Sequence, residues 1–379
     1  MNLPENSLHA TLLAQSVGEF VRRDTDLPRV RTLAQTGSGF DRAQWQRLAG
    51  LGWLGLLAPE AYGGLGLGMT EAVIVAEGLG RALTPEPYTA VAVFASRIIE
   101  ASSNAALRSE LLSGLIDGRC VPVTAWQEQA DDFTGAWVST TAVPCAGGLR
   151  VNGKKRFVMG ADAADGYIVT AHSDEGLQLL WVPRDAPGCS TGLQLLADGR
   201  SYGLVRLRNV VVPPEHVLDH GSTARSALDL AFDHALVATS AELVGALKRS
   251  HEMSLDYLRT RVQFGKPIGS FQALQHRAAD LHIQQELADA VLCEVAAQMD
   301  RDPDVVTRAL LASRVKARCA EAALAITRAA IQFHGAMGYT EDCDVGLYVK
   351  RAMVLTAWLG NARAHRLRYA DLYAAKGPA

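Results

Sequence analysis

The chain has 379 residues, 49% of them hydrophobic and 20% charged, with a formal net charge of −3. This is globular composition with material for a sizeable core and two or three domains, and its acidic balance gives no footprint for nucleic acid. No run of about 18 apolar residues marks a membrane span, and the opening MNLPENSLHATLLAQ lacks the basic-then-apolar pattern of a secretory signal.

Residues 1–117 read as helices. AQWQRLAGLGWLGLL sets Trp45, Leu48, Leu51 and Leu54 on one helical face that runs into a tight turn. The GxGxG run Gly64–Gly68 has no strand leading into it, so it reads as a structural turn and not a nucleotide loop. TEAVIVAEGLGRAL, AVFASRIIEAS and AALRSELLSGLIDG then repeat apolar residues at helical spacing. Near Val121 the pattern changes. WVSTTAVP, LRVNGKKRFVM, GYIVTAH, LQLLWVP and YGLVRLRNVVVPPEHVL are short, β-branched and separated by Gly, Pro and Asp, which predicts an antiparallel β domain over 118–222. From 223 to 379 the helical pattern returns in three long amphipathic stretches. Their length predicts a bundle whose extra apolar faces meet other subunits. Strands grouped between two blocks of helices define an α+β protein, not an alternating βα fold. The six cysteines, Cys120, Cys145, Cys189, Cys293, Cys319 and Cys343, form no CxxC pair and read as reduced thiols of a cytoplasmic protein.

Two segments are specific. RTRVQFGKPIGSFQALQHRAADL (Arg259–Leu281) and IQFHGAMGYTED (Ile331–Asp342) resemble the C-terminal signature segments of the acyl-CoA dehydrogenase family. EAYGGLGLG (Glu60–Gly68) and VVVPPEHVL (Val210–Leu218) resemble its N-terminal Gly-rich turn and its exit from the β domain. RALTPEPYTA (Arg81–Ala90) is similar to the small-subunit type, like the pimeloyl-CoA dehydrogenase small subunit, found beside a second, different dehydrogenase subunit. The resemblance implies an N-terminal all-α domain, a middle antiparallel β domain and a C-terminal four-helix bundle. It implies an FAD-dependent α,β-desaturation of an acyl-CoA thioester, with electron-transfer flavoprotein as electron acceptor.

The residue chemistry agrees. Arg261 can pair bidentately with pyrophosphate oxygens. Phe264 offers a ring beside adenine or ribose, Gln272 and Gln332 can bond ribose or phosphate oxygens, and Gly335 and Gly338 permit close backbone approach. In the family these segments reach across a subunit interface to the neighbour's flavin, which implies Arg261, Phe264, Phe271, Gln272, Gln332, His334 and Gly335 as flavin contacts. Outside this context Arg261 reads as a surface ion pair and His334 as a core histidine. His251, His276, His282 and His365 read as solvated or packed.

The sequence departs from the family where the chemistry happens. The glutamate base that removes the acyl α-proton falls at Leu359 in most members' spacing and at Ala235 in a minority's. Neither side chain accepts a proton, so the catalytic base is unassigned. Phe232-Asp233 matches a pair that contacts acyl-CoA in relatives, but the arginine that follows it there is Leu236. The segment that positions flavin and substrate becomes VTAWQEQADDFTG (Val123–Gly135), and the Trp-Ile-Thr segment becomes Phe157-Val158-Met159. Contacts to a neighbour's flavin are kept, and contacts to the chain's own flavin are mostly lost. That asymmetry predicts the half-site or non-catalytic member of a hetero-oligomer. The alternatives are a self-sufficient homo-oligomer with a relocated base, Asp233 or Glu128, and a non-enzymatic acyl-CoA-binding or structural relative.

Overall fold

The computed structural model describes residues 8–36 and 39–376. Six helices come first: α1 (Leu8–Asp24), α2 (Leu27–Thr36), α3 (Arg42–Gly50), α4 (Met69–Ala82), α5 (Ser96–Glu100) and α6 (Ala105–Ile116), with a buried π-helical turn, Thr89–Ala95, leading into α5. Eight strands follow: β1 (Pro122–Ala125), β2 (Thr141–Cys145), β3 (Gly148–Met159), β4 (Gly166–Ser173), β5 (Gly176–Pro183), β6 (Cys189–Leu195), β7 (Ser201–Val212) and β8 (Val217–His220). The remainder is helical, α7 (Gly221–Thr260), α8 (Gln272–Met299), α9 (Val305–His334), α10 (Val345–Ala357) and α11 (Ala362–Lys376). A small hairpin, β9 (Val262–Gln263) and β10 (Lys266–Pro267), sits between α7 and α8. This is the helix–sheet–helix order of the α+β reading. By contact the chain divides into two compact units, residues 1–31, 69–84 and 236–379 in one, and 32–68 and 85–235 in the other.

The second unit is built on one sheet of order β6-β7-β3-β2-β4-β5-β8, with β1 joined to β4. Most pairs are antiparallel, as the alternation predicts, but β1 runs parallel to β4 and β2 meets β4 parallel at Thr141 and His172. Burial accounts for the β1–β4 pair. All four β1 residues and the first six of β4 are buried, and strands covered on both faces are the ones that pair in parallel. The Gly64–Gly68 run is the structural turn that its context predicts. A Cβ on Gly64 would lie 2.1 Å from the Ala58 carbonyl oxygen, so no side chain fits there.

In the first unit α4 and α7 pack backbone against backbone. A Cβ on Gly80 would sit 2.2 Å from Glu242 O, and one on Gly245 2.0 Å from Glu77 O, so the two glycines set this contact reciprocally. Val30, Leu83, Ala246 and Tyr348 form a core cluster beside it. Arg351, 1% exposed, donates to the carbonyls of Leu83 and Thr84 at 3.1 and 3.0 Å and so closes the C-terminus of α4. An 18-residue window of α7 averages a hydropathy of 1.3, enough by length and composition to cross a membrane. In the structure 94% of that window is buried inside the protein, so α7 is a core helix.

Candidate functional site

Arg261 follows the last residue of α7. Its N–H donates to Tyr257 O (2.9 Å) and its carbonyl accepts from Ile268 N (2.8 Å), which ties off the hairpin. The hairpin turns at Phe264-Gly265, both at positive φ (53° and 78°), with Gln263 facing Lys266 in register. Such primed turns match strand twist but are strained for a residue with a Cβ. The strain displays a phenyl ring that is 91% exposed. Phe264 meets Phe271 edge to face at 6.2 Å, and the Lys266 ammonium lies 4.4 Å from the Phe271 ring centre. Gln272 opens α8 and is exposed.

The second group closes α9. Gln332 is exposed, while His334 is buried, its Nδ1–H donating to Ala330 O at 2.8 Å. Gly335 has φ 62° and ψ −139°, a conformation open essentially to glycine alone. Gly338 tolerates no Cβ, which would meet Ile331 O at 2.6 Å. The Tyr257 and His334 rings stack at 4.3 Å and 24°, joining the end of α7 to the end of α9. The hairpin and the α9 terminus thus lie side by side. Together they present cations, amide side chains and open aromatic rings to solvent, as an elongated, doubly phosphorylated aromatic ligand requires.

The two base positions are both buried, Leu359 at 1% and Ala235 at 0% exposure. Leu359 lies in a turn held by residues the sequence reading did not single out for a role. It adopts φ +60°, and its carbonyl accepts from His365 Nε2 at 2.8 Å. The fully buried Lys316 on α9 reaches the carbonyls of Trp358 (2.8 Å), Gly360 (2.9 Å), Leu355 (3.0 Å) and Thr356 (3.4 Å). Burial drives the Lys316 pKa down to about 7. Burial and the Lys316 charge hold His365 at about 3, as a neutral donor. His365 is therefore one of the packed histidines. The signal for Lys316 was in the sequence, as a lysine on the apolar stripe Ala312, Lys316, Ala320, Ala323.

The divergent stretch after β1 is equally well held. Glu128 accepts from Ser139 N (2.8 Å) and Oγ, Thr140 N (3.0 Å) and Oγ1 (2.8 Å), and Lys155 Nζ (2.6 Å). Lys155 is 0% exposed and also donates to Thr170 Oγ1 at 2.7 Å. Burial works against the Glu128 charge, but the Lys155 ammonium and the two hydroxyls outweigh it and hold the carboxyl at about 2. A carboxylate with five donors and so low a pKa is a structural anion, which argues against Glu128 as a relocated base. Arg225 fastens the same loop through the carbonyls of Gly135 (2.9 Å) and Thr134 (3.0 Å). Phe232 and Asp233 are buried on α7, at 4% and 1% exposure. The Phe232 ring packs edge to face against Trp126 (5.7 Å) and Phe94 (6.4 Å). Phe157, where the family places a tryptophan, sits at φ +55° against Tyr202. All six cysteines are free.

This chain belongs to the acyl-CoA dehydrogenase family. The family's N-terminal domain matches residues 8–119 and its C-terminal domain residues 225–372, and the family is FAD-dependent. Among similar proteins, acyl-CoA dehydrogenase IpdE2 of Mycolicibacterium smegmatis is 28% identical over 354 residues, covering 93% of this chain and 94% of that one. Two solved structures superpose over nearly the whole length. A variant of the Tcur3481–Tcur3483 steroid ACAD is 29% identical, with a TM-score of 0.87 and coverage of 97% and 98%. The ChsE4–ChsE5 complex of Mycobacterium tuberculosis is 26% identical, with a TM-score of 0.89 and 99% of each chain covered.

Proposed function

We propose that this chain is the half-site or non-catalytic subunit of a heteromeric, FAD-dependent acyl-CoA dehydrogenase in the cytoplasm. It lends Arg261, Phe264, Phe271, Gln272, Gln332, His334 and Gly335 to a flavin whose ring pocket and glutamate base belong to a different subunit. One observation carries this reading. A buried Leu359 is clamped in the base position by Lys316 and His365, while the flavin-type hairpin stands open, with Phe264 91% exposed. Positioned general bases contribute about 10²–10⁴ in rate, so a site without one is nearly silent. When bound, the flavin supplies the hydride acceptor. This chain's part is to hold the phosphates and ribose through Arg261 and the two glutamines and to shield the adenine side with Phe264. The two-component relatives named above support a heteromer, and the steroid ACAD among them puts steroid acyl-CoA thioesters beside fatty and dicarboxylic ones as substrates. Electron-transfer flavoprotein takes the electrons.

The test is to purify the chain alone and together with a second dehydrogenase subunit, and to measure flavin content and dye-linked turnover over an acyl-CoA panel. Silence alone, with activity and about one flavin per two chains in the pair, is the outcome this reading requires. Robust turnover by the chain alone overturns it and points to another base, Asp233 first.

A further inference from the structure

Helices α1 and α4 pack together in the first unit, and a glycine sits in the interior of each. A Cβ on Gly78 of α4 would lie 2.1 Å from Val17 Cγ1, so the close approach of α1 demands that glycine. Gly18 of α1 differs. A Cβ there would meet a single atom within 4 Å other than its own helix backbone, Arg22 Nη1 at 3.7 Å. Glycine inside a helix weakens it relative to alanine, and packing does not require this one. Gly18 opens instead onto a groove of about 420 Å³ between the two helices, walled by Ala14, Val17, Val21 and Ile74. That lies at the small end of the range for ligand pockets. No residue of the groove belongs to the hairpin or to the end of α9.

Arg22, Glu77 and Arg81 are the charged residues lining the groove, and they are unequally engaged. Arg81 is committed to Glu252 at 2.8 Å. Arg22 makes no hydrogen bond or ion pair among the described residues, and its guanidinium folds back towards Gly18. Glu77 gives its Oε1 to the Lys248 ammonium at 2.9 Å. Its Oε2 is buried and has no donor. An ionised oxygen held out of water without a donor is costly, so folding alone leaves this carboxylate half satisfied. The terminal torsion of a glutamate is soft, so Oε2 can turn to a donor placed in the groove that Glu77 lines. A free guanidinium, an unsatisfied carboxylate oxygen and an apolar wall together call for a ligand with matching parts. Those are a carboxylate for Arg22, an N–H or O–H donor for Glu77 and an aliphatic body for Val17, Val21 and Ile74. An inorganic anion lacks the body, and a plain fatty acid lacks the donor.

We propose that the groove between α1 and α4 binds a small aliphatic acid that also carries a hydrogen-bond donor, an amino acid or a hydroxy acid of about leucine's size. Arg22 takes the carboxylate, and Glu77 accepts from the ammonium or the hydroxyl. Glu77 also ties α4 to Lys248 of α7, so an occupant of the groove completes a carboxylate that already joins two core helices.

Isothermal titration calorimetry on the purified full-length chain tests this with probes that share one aliphatic body: L-leucine, 2-hydroxyisocaproate, isocaproate without a donor, and isoamylamine without a carboxylate. The variants are Gly18→Leu, which fills the groove with a better helix former, Arg22→Gln, and Arg23→Gln as the neighbouring exposed control. The expected result is saturable binding of L-leucine or 2-hydroxyisocaproate, about tenfold or more tighter than isocaproate and isoamylamine. Whichever of the two binds tighter identifies the donor as ammonium or hydroxyl. Arg22→Gln weakens binding by about tenfold. Gly18→Leu abolishes it with an unchanged or higher melting temperature, and Arg23→Gln matches wild type. No saturable heat from either donor-bearing acid up to about 10 mM overturns the proposal. Binding that survives in Gly18→Leu overturns it too, by placing the ligand elsewhere. Isocaproate binding as tightly as both donor-bearing acids removes the part of Glu77, and isoamylamine binding as tightly removes that of Arg22. Either result overturns the assigned ligand class. No measurement in this set involves flavin or a second subunit, so its failure and the failure of the functional reading are distinct.

Discussion

Replacing Lys316 with methionine isolates the clamp on the Leu359 turn. Methionine keeps the length and apolar character of the stem and removes every donor. Four carbonyls lose a partner, and those of Trp358 and Gly360 lie beyond the end of α10, where no helical N–H replaces it. A buried carbonyl left without a donor costs about 1–3 kcal/mol, so these two give about 2–6 kcal/mol. The opposing term is the burial of the ammonium. A pKa depressed from 10.5 to about 7 corresponds to roughly 4–5 kcal/mol at acid pH, where both folded and unfolded states are protonated. The folded pKa is the lower one. Between about 7 and 10.5 the unfolded chain therefore binds more protons, and the stability contributed by Lys316 rises with pH across that window. The expected outcome is a Lys316→Met variant less stable than wild type by about 2–6 kcal/mol near the top of that window, with the gap closing towards pH 6. Denaturant unfolding at both ends of the window, followed by tryptophan fluorescence, measures it. A loss of equal size at both ends, or none at either, refutes the account of a buried titrating clamp.

Glu128→Gln leaves the Lys155 ammonium buried without its counter-charge and is expected to destabilise the fold by about 3–5 kcal/mol, measured by urea unfolding; an unaltered fold with abolished turnover would instead make Glu128 a base. Because the Glu128 pKa is lowered to about 2, its contribution is complete above about 4.5 and is lost as pH falls towards 2, which acid unfolding of wild type and variant reads directly. Arg261→Ala should lower flavin retention in the assembled complex by about 1.5–3 kcal/mol of binding energy while the melting curve of the chain stays in place; the reverse pattern makes Arg261 a structural ion pair. Phe264→Gly relieves the positive φ of an exposed residue and should stabilise the isolated chain by up to about 1 kcal/mol, while flavin content in the complex falls. Gly335→Ala, at φ 62° and ψ −139°, should cost about 1–3 kcal/mol although open space surrounds the site, so a neutral result would remove the case for a backbone constraint there.

Much of this protein could be read from its sequence, because periodicity and motif are local properties. The change from helical to two-residue spacing near Val121 and back near Ser226 placed the sheet between two helical blocks. The segments Arg259–Leu281 and Ile331–Asp342 carried the resemblance to the family's signature segments, and the absence of a carboxylate at Leu359 and Ala235 left the base unassigned. None of these statements needs a contact between distant residues. The tertiary structure decided what depends on such contacts. Lys316 is a clamp only because α9 carries it to the carbonyls at the end of α10, and its sequence position shows no more than a charge out of place on an apolar stripe. Glu128 reads in the sequence as a free candidate base, and pairing with Lys155 on β3 makes it a structural anion. The parallel step between β1 and β4 follows from burial on both faces, which a four-residue strand cannot announce.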